Sequence, residues 1–70
     1  MNTKLRISAL RGRRAALGLS QHAVASQMRK SASWLSLVEH GIYEPDEWER
    51  NRLAEILHCQ VSDIFPEVTP

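Results

Sequence analysis

The chain contains one cysteine, Cys59, which excludes an internal disulfide and agrees with a reducing compartment. It has no run of eighteen apolar residues, so no membrane span is expected. The basic N-terminal stretch is not followed by an apolar segment with a small-residue cleavage site, so no secretory leader is expected. No segment alternates like a strand for more than three or four residues. At 70 residues the chain has room for one domain, spanning 1–70, with a single small core. Seven of its thirty hydrophobic residues are alanines, which leaves about twenty larger apolar side chains to build that core. A dinucleotide-binding unit, a barrel and a buried catalytic cleft are hard to fit. A binding module is expected.

Acidic residues are absent from the first thirty positions, which carry Lys4, Arg6, Arg11, Arg13, Arg14, Arg29 and Lys30. From Ser31 onward only Arg50 and Arg52 oppose Glu39, Glu44, Asp46, Glu47, Glu49, Glu55, Asp63 and Glu67. The net charge of +1 therefore hides a strong dipole. Such a chain presents one face to a polyanion and turns the other away. Two solvated surfaces of opposite sign would give the same pattern, so charge alone leaves both readings open.

The apolar residues keep helical spacing between turn signals. Ile7, Leu10, Arg14 and Leu17 mark one face of a first helix from about Lys4 to Leu17, stopped by Gly18. Ser20 is placed to cap a second helix whose inner edge is Val24, Ala25 and Met28. Ser31 is placed to cap a third, Ala32 to about His40, with Leu35 and Val38 inward and Gly41 as its stop. Asp46 opens a fourth helix with Leu53, Ile56 and Leu57 as its apolar arc; Glu47 and Glu49 suit the positive end of its dipole. Ser62 is the expected cap of a last turn through Ile64 and Phe65, ended by Pro66. The pattern predicts an all-α, compact four- to five-helix bundle.

Helices 2 and 3, joined by a tight turn and preceded by a basic helix, suggest a helix-turn-helix. Nine residues of helix 3 span about 13 Å, a length suited to a major groove about 12 Å wide. On a helical wheel Ser33, Ser36 and Leu37 lie opposite Leu35 and Val38, with Ala32 near the tip. Arg29 and Lys30 fall in the turn before that tip, where phosphates would lie. Gln21 and His22 open helix 2, whose free amides favour an anion.

Leu10 to Arg14, Gly18-Leu-Ser-Gln21, Val24-Ala25, Ser31, Leu35-Ser36, Val38-Glu39, Gly41, Pro45, Leu53-Ala54, Leu57 and Ile64-Phe65-Pro66 together carry a resemblance. The chain resembles the lambda-repressor-like helix-turn-helix family of phage repressors, Cro proteins and small bacterial regulators, from about Arg6 to Phe65. The resemblance implies a five-helix domain whose third helix reads the major groove of double-stranded DNA, as a homodimer on a near-palindromic site. It implies a transcriptional repressor or controller, cytoplasmic in a bacterial or phage-infected cell, with no cofactor, no small-molecule ligand and no membrane. By position, Ser31, Ala32, Ser33, Ser36 and Leu37 would face base edges. Arg14, Gln21, His22, Arg29, Lys30 and His40 would meet the DNA backbone, and Gln21 would also brace helix 3. Arg14 and Glu39 match an ion pair that locks the first helix onto the third. Three departures stand out. The fourth helix has Glu47 and Arg50 in its first turns, where the family tends to be apolar, and carries Trp48 off its main apolar arc. Arg29 occupies a turn position where the family usually has glycine or a small residue. The reading face also lacks the long polar side chains that make bidentate base contacts, which shifts weight toward DNA shape.

Other features have plainer readings. Trp34 is expected in the core, with DNA contact as the alternative. Trp48 would form a subunit contact or fold onto the Tyr43 region, and a dimer surface is expected around Trp48 and Ile64 to Val68. Leu37 is read as a thymine-methyl contact rather than a tolerated surface leucine. His58 beside Cys59 lacks the second ligand pair of a metal site, and Cys59 reads as a small hydrophobe. No Ser-His-Asp order, phosphate loop or carboxylate pair in an apolar setting is present, so no enzyme is expected. A competing reading keeps the fold but makes the chain an adaptor or antitoxin-like subunit, docking a partner protein through the acidic fourth helix and Trp48.

Overall fold

A computed structural model describes residues 8–67. They form five helices: α1 (Ala9–Ala16), α2 (Gln21–Gln27), α3 (Ala32–Glu39), α4 (Glu47–Ile56) and α5 (Val61–Ile64). No strand occurs among the described residues. α2 packs against α3 and α4, while α5 closes the bundle on α1 and α4.

The helices start where a short polar side chain can take a free amide. Ser8, Ser20 and Ser31 accept from the amides of Arg11, Ala23 and Trp34 at 3.0, 3.0 and 3.1 Å. Asp46 accepts from Glu49 N at 2.8 Å, and Glu49 Oε1 accepts in return from Asp46 N at 2.9 Å, completing a capping box. Four of the five helices stop by one device. After α1, α2, α3 and α4 a residue with positive φ sends two amides back onto the last carbonyls, the Schellman arrangement. At the end of α2, Arg29 N donates to Ser26 O at 3.0 Å and Lys30 N to Ala25 O at 2.9 Å. Gly18 and Gly41 serve α1 and α3; Arg29 (φ 59°) and His58 (φ 56°) must serve α2 and α4.

Leu10, Val24, Leu35, Leu53 and Leu57 are fully buried, joined by Met28, Val38, Ile56, Ile64 and Phe65. The expected inner faces of α2, α3 and α4 are therefore the observed ones. Three expectations need correction. α1 does not run from Lys4: Ser8 is extended (ψ 151°) and the helix begins at Ala9, while Lys4 to Ile7 lie outside the described residues. Leu17 is exposed, because it caps α1 and the chain reverses at Gly18; Leu19 packs on the core in its place. The cap of α5 is Gln60, not Ser62, because Asp63 reaches back to accept from Gln60 N at 2.9 Å.

The left-handed conformation costs a residue with a Cβ roughly 1–2 kcal/mol that glycine does not bear. Arg29→Gly should therefore stabilise the domain by about 1 kcal/mol, seen as a melting temperature higher by roughly 4–8 °C. An unchanged or lower midpoint would show that the turn is not strained.

Candidate nucleic-acid interface

α3 is held from behind by one carboxylate. The Glu39 side chain is 1% exposed. It accepts from Arg14 Nε at 2.6 Å, Arg14 Nη2 at 3.3 Å and Gln21 Nε2 at 3.0 Å. Arg14 Nη1 donates to Leu19 O at 2.8 Å. One buried group thus ties α1, the α1–α2 link and α2 to the last turn of α3. A buried carboxylate is tolerable only when so fully paired. The Arg14 guanidinium is committed inward, and the Gln21 amide braces α3.

The opposite side of α3 is uncovered. Ser33 and Leu37 are exposed, Leu37 by 43%, with Ser36 and Ala32 half-buried beside them. Residues 33, 36, 37 and 40 fall at helical steps of three and four, so they share one face. His40 Nδ1 lies 2.7 Å from Ser36 O, which folds the ring back along that face. The Ser31 hydroxyl is occupied by its cap on Trp34 N, although the residue itself is exposed. Helix α3 is about 12 Å long at 1.5 Å per residue. It is short enough to lie within a groove of that width.

The basic residues divide into two groups. Arg11 and Arg29 are exposed and make no ion pair among the described residues. The exposed His22 meets only Ser26 Oγ, at 3.5 Å. Arg13, Arg14, Lys30, Arg50 and Arg52 have partners among the described residues. Arg13 donates to Leu57 O and His58 O, both at 2.9 Å, and so caps the carbonyl end of α4. Lys30 Nζ lies 3.6 Å from Glu49 Oε2 and 5.5 Å from the centre of the Trp34 ring. The positive face is thus narrower than the charge count suggests; Lys4 and Arg6 lie outside the described residues.

Sequence reasoning missed Glu49. Expected only to suit the dipole of α4, it is buried and accepts from both Asp46 N and the Tyr43 hydroxyl. Its signal was Asp46-x-x-Glu49, the capping-box spacing. The Tyr43 ring lies tilted against Trp34, with centroids 5.9 Å apart, and Trp34 packs on the core as expected. Trp48 does not join them and stays 64% exposed. Ile64 is buried, so it offers no subunit surface, and Val68 lies outside the described residues. Burial raises the pKa of the Cys59 thiol, with nearby Arg13 opposing the shift.

Residues 8–64 match the helix-turn-helix domain family. The chain belongs to that family. No curated protein and no solved structure matches it. Within the helix-turn-helix, α2 and the turn at Arg29–Lys30 support α3, whose outer face stays uncovered. Among the described residues no helix is long and apolar enough to cross a membrane.

Removing the carboxylate that locks α3 would leave Arg14 without its counter-charge. Glu39→Ala should cost about 3–5 kcal/mol in urea unfolding. A loss below about 1 kcal/mol would mean that α3 is held by apolar packing alone.

Proposed function

We propose that this helix-turn-helix domain is a sequence-specific regulator of transcription, a repressor or controller. In this reading α3 enters the major groove of double-stranded DNA. The observation that carries the reading is the uncovered face of α3, with Ser33 and Leu37 exposed while Glu39 pins the helix from inside.

The outward side chains are short, so the helix backbone can approach the base edges closely. Ser33 and Ser36 offer hydroxyls that donate or accept, and Leu37 offers a methyl contact to thymine. Ala32 leaves room at the helix tip. With few groups able to make two hydrogen bonds to one base, DNA shape contributes a share of the selectivity. Arg29, Arg11, His22 and His40 are proposed to meet phosphates. Arg14 and Gln21 act by holding the frame. The chain works as a homodimer on a near-palindromic site, within the cytoplasm, and has no catalytic role.

Each phosphate neutralised by a basic side chain releases counterions, so log affinity should fall with log salt by about 0.9 per contact. Selection of duplexes from a random pool gives the site, and filter binding then checks the roles. Arg29→Gln should weaken all duplexes alike and reduce the slope by about 0.9. Ser33→Ala and Leu37→Ala should each relax preference at one or two base pairs, leaving random-duplex affinity unchanged. Equal losses on selected and random DNA for the Ser33 and Leu37 variants would remove α3 from the reading surface. Duplex affinity that stays flat with salt would remove DNA binding itself.

A further inference from the structure

Arg29 and Lys30 are neighbours in the same turn and carry the same formal charge, yet their surroundings differ. The Arg29 side chain is exposed and makes no ion pair among the described residues. Lys30 Nζ lies 3.6 Å from Glu49 Oε2; the Lys30 side chain is 38% exposed, the Glu49 side chain 8%. The other Glu49 oxygen accepts from Asp46 N at 2.9 Å and the Tyr43 hydroxyl at 3.3 Å. Lys30 Nζ also sits 5.5 Å from the centre of the Trp34 ring, and Tyr43 packs on that ring at 5.9 Å. The turn, the first residues of α3, the α3–α4 loop and the start of α4 thus meet around one ammonium.

A cation held by a buried carboxylate is not equivalent to a free one. Moving Lys30 onto a phosphate would leave Glu49 without its nearby counter-charge, at a cost reduced by the water that reaches the 38% exposed lysine. While paired, Lys30 and Glu49 are neutral together, and a neutral pair displaces no condensed counterions from DNA. The stem of Lys30 meanwhile spans from the turn to Trp34 at the head of the reading helix.

We infer that Glu49 is a specificity-determining, positioning residue: it withholds Lys30 from the DNA backbone and uses it to fix the turn against α3. The inference rests on the DNA-binding reading above. Its consequence is that affinity for arbitrary sequence is kept low by a residue that never touches DNA.

The test uses the full chain, random duplex and the salt dependence of binding. Glu49→Gln keeps the capping box, since glutamine fills that position as well, and removes only the charge. It should free Lys30, steepen the slope by up to about 0.9 and tighten random-duplex binding several-fold at low salt. Lys30→Met should leave the slope at its starting value, and the double variant should return to that value as well. Arg29→Gln, which loses about 0.9 in slope, calibrates the effect of a true phosphate contact. Melting curves identify any variant that fails to fold, and Lys30→Met decides the matter alone if Glu49→Gln does. A slope drop in Lys30→Met equal to that of Arg29→Gln would overturn the inference, as would a Glu49→Gln slope unchanged from the parent. If the parent chain shows no salt-dependent duplex binding, the DNA reading fails first and the inference with it.

Discussion

The arrangement depends on a carboxylate kept almost out of water. Glu39 at the end of α3 has a side chain 1% exposed, and its two oxygens are satisfied by Arg14 from α1 and Gln21 from α2. A helix of eight residues has little stability of its own. Its orientation must come from tertiary contacts, and here the directional ones converge on Glu39. Leu35 and Val38 supply apolar burial on the same side. Burial without direction would let a short helix roll about its axis; three charge-assisted or amide hydrogen bonds to one carboxylate oppose that rolling.

Because the inner face is fully occupied, the outer face is free to be selected for something else. Small side chains there cost little stability and allow close approach. The flanking charge is partitioned accordingly. Arg13 closes the carbonyl end of α4 and Lys30 answers Glu49, so neither adds freely to the field around α3. Arg29 remains exposed, in a backbone conformation better suited to glycine. Strain kept at an exposed, charged position fits the phosphate contact proposed for Arg29.

Much of this was legible in the sequence because it is local. Serine before a helical run, glycine after it and apolar residues at steps of three and four act over a few residues, and they located α2, α3 and α4 with their inner faces. The Arg14–Glu39 pair was legible only through the family resemblance, since nothing local joins residues 25 positions apart. The carbonyls that Arg13 caps lie 44 and 45 positions away, and no sequence signal announces them. Glu49 was legible only as an acid suited to the start of α4; its burial depends on how α4 meets the turn and Tyr43. Leu17 was misplaced because its spacing fits the helical face, whereas the reversal at Gly18 hands the inward position to Leu19.

The most direct test of the account is methylation interference on a selected duplex, with guanine N7 probing the major groove and adenine N3 the minor. The account predicts that N7 methylation blocks binding in two patches whose centres are separated by about one helical turn. Interference confined to adenine N3, or none at either position, would contradict it.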